Sequence, residues 1–418
     1  MIGWILLTLF VVISLVYVFW YWNLKARALK KLTTLNVRAS DRWTVPFLEE
    51  KRNHTDPVAD GVVATIMKKN ELAQVNHLFQ LFVDDNDQLP DSAPQEIKDY
   101  FTQTATLPSW ADPDLIALGQ QVYIRHGVWI SLLLSYKSLP ECYACAKGAE
   151  VLYHTARLNE HHGSLDAYSR RIAETAQFVF YSMQPGGLSS EGSGLRAAQK
   201  VRLIHAIIRY YLKQKNWDSS TFNEPINQQD MAGTLMSFSA LVLEGMEQLG
   251  IVLEPVEQEA YVHCWRVIGH IVGLQADLIP ENSADALRLG HAILDNQISE
   301  SEHSKALMKA LLDFQDKTSK PLFDEQGNIA MMRLMMGEKI SDMLGVPSLD
   351  THQVQKLGRK LRRIARVMEI LDKSLVLAMI IQFISKLGLQ WMITRMTPTR
   401  IINFYLPKSL TQDWNAKT

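Results

Sequence analysis

Lys200-Val-Arg-Leu-Ile-His-Ala-Ile-Ile-Arg209 is the stretch on which the fold turns. Arg202, His205 and Arg209 fall at i, i+3 and i+7, so a helix puts all three on one stripe. Val201, Ile204, Ile207, Ile208 and Tyr211 make the neighbouring faces apolar. A period-two strand would scatter these residues over both faces, whereas the 3.6-residue helical period sorts them.

Working outward, the same period recurs on both sides. Leu165 to Met183 reads as a helix that stops before Pro185-Gly186-Gly187. A Gly/Ser-rich loop, 186–194, separates it from the helix predicted over Gly194 to Lys215. Asp112-Pro113 starts a helix, with Asp112 as N-cap and proline in the first turn. Further helices are expected over Gln229 to Leu249, closed by Gly250, and over Pro255 to Leu278, ending before Pro280. Strand signals are scarce and no internal repeat is visible, so the fold class is all-α. The length of 418 residues suits one large helical domain with appendages. A net charge of -1 speaks against nucleic acid as a partner. Three cysteines, Cys142, Cys145 and Cys264, are too few for a disulfide framework and fit a reducing compartment.

The two ends differ from the middle. Ile2 to Trp22 holds no charged side chain and would span about 32 Å as a helix, enough for a bilayer core. It closes on Phe19-Trp20-Tyr21-Trp22, an interfacial aromatic cluster, and lacks the small-residue cleavage site of a signal peptide. Residues 1–22 are therefore read as a single-pass transmembrane anchor. Lys25, Arg27, Lys30 and Lys31 follow, which puts the remainder on the cytoplasmic side by the positive-inside rule. Residues 23–59 read as a juxtamembrane linker, 60–346 as the main helical domain and 347–418 as a membrane-interfacial segment. In that last segment Lys356, Arg359, Lys360, Arg362, Arg363 and Arg366 accompany Leu357, Leu361, Ile364, Val367 and Leu371 at helical spacing. This suits a helix lying on an anionic membrane, and equally a solvated surface helix. Leu375 to Ile393 is apolar but carries Gln382, Lys386 and Gln390, so a docked helix is expected rather than a second span.

A cationic stripe inside an apolar helix needs an anionic or metallic partner, because unpaired buried charge is costly. A haem would answer both needs: its iron takes a neutral imidazole and its propionates suit arginine forks. A solvent-facing Arg-His-Arg row is the plainer account of the same spacing. Elsewhere Cys142-Tyr-Ala-Cys145 lacks the histidine of covalent haem attachment and reads as small packing residues. His263 and His270 share a helix face and read as hydrogen-bonded core histidines. Glu300-Ser-Glu-His303 is a lone Glu-x-x-His, where a di-iron bundle needs two. No G-x-S-x-G, P-loop or G-x-G-x-x-G is present.

The Lys200–Arg209 run, followed by Pro225-Ile-Asn-Gln-Gln-Asp-Met-Ala-Gly-Thr234, resembles the latex-clearing protein and mycophenolic-acid oxygenase family, also known as the rubber oxygenase catalytic domain. Ser138-Leu-Pro140 ahead of Ala146-Lys-Gly148, and Ala260-Tyr-Val-His-Cys-Trp-Arg-Val-Ile-Gly-His270, extend the likeness over roughly residues 95 to 295. The resemblance implies a globin-like helical core holding non-covalent haem b. It implies cleavage of a carbon–carbon double bond of an isoprenoid or other hydrophobic, lipid-like substrate with O2. By this resemblance His205 is the proximal iron ligand, flanked by the cofactor-binding Arg202 and Arg209, and Arg171 and Thr175 face the distal side. Rubber-cleaving members can carry a lysine just before that threonine; here the position is Glu174, a candidate distal acid/base. That departure, with the anchor, looks more like the membrane-bound oxygenase that cleaves a prenyl side chain. A haem-binding sensor or carrier, and a non-enzymatic membrane-tethered scaffold, are the alternative functions. The oligomeric state is not legible.

Overall fold

The computed structural model describes residues 2–32, 38–69, 93–158, 165–320 and 322–372, with 385, 387 and 388. Seventeen α-helices run in order along them, with a π-helical turn at Leu134–Ser138 between the fifth and sixth. The first four are α1 (Ile2–Leu32), α2 (Val45–Lys51), α3 (Pro57–Lys68) and α4 (Gln95–Thr104). Then come α5 (Pro113–Leu133), α6 (Leu139–Ala144), α7 (Ala146–Leu158), α8 (Leu165–Met183) and α9 (Ser193–Gln214). The chain continues through α10 (Ser219–Phe222), α11 (Gln228–Phe238), α12 (Ala240–Gln248) and α13 (Pro255–Ile271). It finishes with α14 (Ser283–Gln297), α15 (Glu302–Thr318), α16 (Glu325–Met343) and α17 (Thr351–Asp372). Among the described residues the only β pairing is one isolated bridge, Cys145 to Ile298. The all-α expectation is met.

The caps show why the sequence breaks where it does. Asp112 accepts from the N–H groups of Asp114 and Leu115, with Pro113 behind it. Gly250 takes φ +83 just past α12, the left-handed C-terminal position expected of it. Two predicted helices are shorter or divided. Gln229 to Leu249 is split at Ser239, whose φ and ψ of -114 and -95 leave the helix and whose hydroxyl donates back to the Leu235 carbonyl. Pro255 to Leu278 ends at Ile271, because Gly273 at φ +90 turns the chain before a short 3-10 turn at Ala276–Leu278.

The core is centred on α13, buried on nearly every face, with Tyr261 and Trp265 among its largest enclosed side chains. It lies along α5. A second apolar cluster joins α3, α4 and the Leu203, Ala206, Ile207, Tyr211 side of α9. Residues 23–59, expected to be a linker, instead carry the end of α1 and all of α2. Leu24 and Ala28 of α1 are buried against Leu115, Leu118, Val256 and Ala260. Lys25 pairs with Glu254 (2.5 Å), Arg27 with Asp114 (3.0 Å) and Lys31 with Asp112 (3.2 Å). The basic residues after the apolar run thus neutralise acids of the domain itself.

The side chains of residues 2–11 lie outside the described set, as does most of 373–418, which takes in all but residues 385, 387 and 388 of the expected docked helix at 375–393. No helix among the described residues is long and apolar enough to cross a membrane.

His263 is 3% exposed, and its Nε2 accepts from the Asp112 N–H at 2.9 Å. Burial, helped by Arg266 and opposed by Asp112, pushes its pKa down from 6.5 to about 4. The folded ring therefore refuses a proton that the unfolded ring accepts, so this stability is complete above pH 6.5 and is lost as pH falls toward 4. His263→Gln, which keeps an acceptor for Asp112, is expected to make stability in urea fall less steeply from about pH 7 to about pH 4.5. An unaltered pH dependence in that variant would count against this role.

Candidate functional site

Helices α8 and α9 form an antiparallel pair joined by the 184–192 turn. They touch at Gly194, where any Cβ would collide with Ser182 Cα. From that crossing each helix runs eleven residues, about 16 Å, to Arg171 on α8 and His205 on α9. Eleven residues is three turns plus about 20°, so each side chain leaves on the face that makes the crossing. By helical periodicity His205 shares the face of α9 that carries Gly194, and Arg171 and Thr175 share the face of α8 that carries Ser182. Glu174 lies about 80° off that face. Thr175 is exposed.

His205 is half-buried, and its Nδ1 is enclosed without a hydrogen-bond partner. Burial first, then the Arg209 guanidinium, push its pKa down from 6.5 to about 4 against the pull of Asp56. The ring is neutral at ordinary pH, which is the state a metal ligand needs.

The flanking arginines have protein partners. Arg202 forks onto Asp56, Nε to Oδ2 at 2.5 Å and Nη2 to Oδ1 at 2.8 Å. Arg209 meets Asp60 through Nε at 2.8 Å and Nη2 at 2.7 Å, and its Nη1 donates to the Ile226 carbonyl at 3.3 Å. The partner that buried charge demands is thus a pair of aspartates at the start of α3. The same arginines were expected to meet cofactor carboxylates; here their donors are directed at Asp56 and Asp60.

The Pro225–Asp230 run explains how α3 is held there, a role not legible in the sequence. Asn227 caps α11 by accepting from the Asp230 N–H at 2.9 Å. Gln228 donates to the carbonyls of Thr55 (2.9 Å) and Gly273 (3.0 Å) and accepts from the Gln275 N–H (2.8 Å). Gln229 and Asp230 accept from Nη1 of the fully buried Arg52, at 2.9 and 2.7 Å. Residues 52–56 are stapled in place, and Asp56 with them. Gly273 is the close neighbour: a Cβ at that residue would strike both Asp56 and Arg202. Ile226 sits at φ +49, a strained conformation for a β-branched residue, and its carbonyl meets Arg209.

On the opposite helix Arg171 Nη1 donates to the Leu152 carbonyl of α7 at 3.3 Å, and Thr175 donates back to the Arg171 carbonyl at 3.0 Å. Glu174 is half-buried and has a partner of its own. Tyr168, one turn before Arg171, shares a 2.8 Å hydroxyl contact with Tyr143 and was not singled out from the sequence.

The other motifs resolve as packing. Cys142 Sγ lies 3.3 Å from Ser237 Oγ, and burial pushes its thiol up to about 11. His303 Nδ1 lies 2.7 Å from Glu150, while Glu300 pairs with Lys305. Among the described residues no group of three or more His, Cys, Asp or Glu side chains could hold a metal ion.

A family model described as ER-bound oxygenase mpaB/B'/Rubber oxygenase, catalytic domain, matches residues 143–370. The chain is 26% identical to a rubber oxygenase of Streptomyces sp. (strain K30) over 298 residues, covering 70% of each protein. A structure of latex clearing protein LCP in the closed state aligns with a TM-score of 0.69 at 23% identity. That alignment covers 82% of this chain and 91% of the other, and it shows the shared fold.

Removing one partner of a buried ion pair costs about 3–5 kcal/mol, because it strands the other charge. Asp56→Ala is expected to lose that order of stability in chemical denaturation, and Asp56→Leu with Arg202→Met to regain most of it. A single-variant loss within about 0.5 kcal/mol of zero would contradict the clamp.

Proposed function

The chain belongs to the ER-bound oxygenase mpaB/B'/Rubber oxygenase catalytic-domain family, and we propose that it is a membrane-anchored, haem-b-dependent oxygenase. Its substrate would be an unsaturated, isoprenoid or similarly lipid-like molecule, cleaved at a carbon–carbon double bond with O2. The observation that carries this reading is His205 of α9: a neutral imidazole whose enclosed Nδ1 has no hydrogen-bond partner. The described residues offer no multi-ligand metal cluster, so a single imidazole ligand suits a macrocycle that brings its own nitrogens. Haem, when bound, supplies the binding and activation of O2.

The chain's own residues hold and shape that site. His205 would hold the haem iron through its imidazole nitrogen. Arg202 and Arg209 fix the α9 stripe through Asp56 and Asp60, so that the imidazole keeps its direction. Their proposed part in cofactor binding is to hold the ligand helix, and contact with propionates would require their donors to be shared. Arg171 brings a positive charge to the facing helix, where it can favour developing negative charge on an oxygen. Thr175 offers a hydroxyl that can turn from its helix carbonyl toward a substrate or oxygen atom. Glu174, off to the side, is proposed as an acid/base at the edge of the site. The globin-like character of the core belongs to this same reading.

Membrane attachment is part of the proposal. Leu15, Val16, Phe19 and Trp22 of α1 are all more than half exposed, which is costly in water and natural in lipid. Val128 of α5 is also exposed, and Gly388 approaches it, with Leu387 exposed alongside. The apolar exposure of α1 and the end of α5 supports a bilayer contact through which a hydrophobic substrate arrives, with the domain on the cytoplasmic side.

The purified protein is expected to show a Soret band, and His205→Ala to lose it or lose most haem occupancy. Full occupancy with an unchanged spectrum in that variant would defeat the assignment. Thr175→Ala and Glu174→Gln are expected to keep haem but lower O2-dependent product formation, on the order of ten-fold or more if each takes part in proton or oxygen handling. Wild-type protein that binds haem yet consumes no O2 with an unsaturated isoprenoid would favour a carrier or sensor.

A further inference from the structure

Helix α17 presents two unlike faces. Val354, Leu361 and Ala365 are buried, where the helix packs along α16. The opposite face exposes Lys356, Arg359, Lys360, Arg363 and Arg366 within an arc of about 120°. None of the five takes part in a salt bridge among the described residues, although most basic side chains near the core do.

Val367 and Ile370 sit within the same arc, 55% and 59% exposed, and Ile364 at its edge is 42% exposed. A merely solvated face has no need of three large aliphatic groups set among its cations. A surface that dips below a layer of negative charge does.

The position of the helix adds an independent argument. The Arg362 stem lies over Gly250, 3.6 Å from where a Cβ would stand. That turn leads through Val252, 67% exposed, to Glu254, which pairs with Lys25 of α1. The basic face and the helix that carries the exposed aromatic run are therefore joined through one short loop, at one edge of the domain.

We propose that the outer face of α17 docks on the anionic phospholipid headgroups of a membrane surface, as a second attachment beside α1. Lys356, Arg359, Lys360, Arg363 and Arg366 meet the phosphates and carboxylates, and Val367 and Ile370 enter the headgroup layer. Two attachments fix the domain's tilt where one helix would leave it free to rotate. This is independent of the haem reading and extends the membrane reading of α1.

The test uses the full-length chain in liposomes with a fluorophore on Val367→Cys, or separately on Phe19→Cys, and lipids spin-labelled near the headgroup. The Val367 probe is expected to be quenched several-fold more strongly with phosphatidylserine present than in phosphatidylcholine alone. Raising salt from about 0.1 to about 1 M, which cuts the Debye length from about 10 to about 3 Å, is expected to abolish the difference. So is the triple variant Lys356→Gln, Arg359→Gln, Arg363→Gln, whose unchanged helix content by circular dichroism shows that the fold survives. No quenching at Val367 in anionic membranes overturns the proposal, whatever the Phe19 probe reports, and would leave an acidic macromolecule as occupant. Equal quenching in both lipids overturns its ionic basis. Quenching at Val367 with none at Phe19 keeps this dock and removes the α1 anchor.

Discussion

Two ion pairs, Arg202 with Asp56 and Arg209 with Asp60, hold the centre of this molecule in place. Isolated guanidinium groups inside an apolar helix would cost several kcal/mol each, and a buried pair breaks even only when its geometry is good and its other donors are met. Arg202 meets both, forking the oxygens of Asp56 and reaching the Ile271 carbonyl, whereas Arg209 bonds Asp60 through Nε and Ile226 through Nη1 while its Nη2 makes only an ion contact. Because the aspartates sit four residues apart at the start of α3, the two clamps fix α3 and α9 in rotation as well as distance. His205, between the two arginines on the stripe, has little freedom left.

The clamp depends in turn on a run far from it in sequence. Gln228 bridges the Thr55 and Gly273 carbonyls, and Arg52 reaches Gln229 and Asp230, so the approach to α3 is fastened to the start of α11. Without a Cβ, Gly273 lets Asp56 and Arg202 meet against the chain. The polar PINQQD segment thus acts at a distance, as a bracket for the residues that orient the imidazole. Opposite, the close approach of Gly194 to Ser182 sets where α8 and α9 meet.

Helical periodicity made the architecture legible. The 3.6 period, Asp112 with Pro113, and Gly250 marked elements that the structure contains. Where the reading slipped, a local hydrogen bond or a glycine was responsible, at Ser239 and at Gly273, and neither alters the hydrophobic period. The linker expectation for 23–59 missed that Lys25, Arg27 and Lys31 have acids waiting on α5 and α13, since pairing over more than eighty residues leaves no local trace. For the site, the spacing of Arg202, His205 and Arg209 was sufficient to pick out the stripe and to say that its charge needs an opposite charge. It could not say that Asp56 and Asp60 provide it, because single aspartates near a helix start are read first as caps. Asp56 in fact serves as both cap and counter-ion.

The proposal turns on the imidazole at residue 205 as a coordinating ligand of a non-covalently held haem iron. His205→Gly, loaded with haem and titrated with free imidazole, tests it most directly. The account predicts a variant with weak or altered haem absorption whose Soret and visible bands return to the wild-type positions as imidazole fills the space left by the removed ring. A variant that already shows the wild-type spectrum, and does not respond to imidazole, would contradict it.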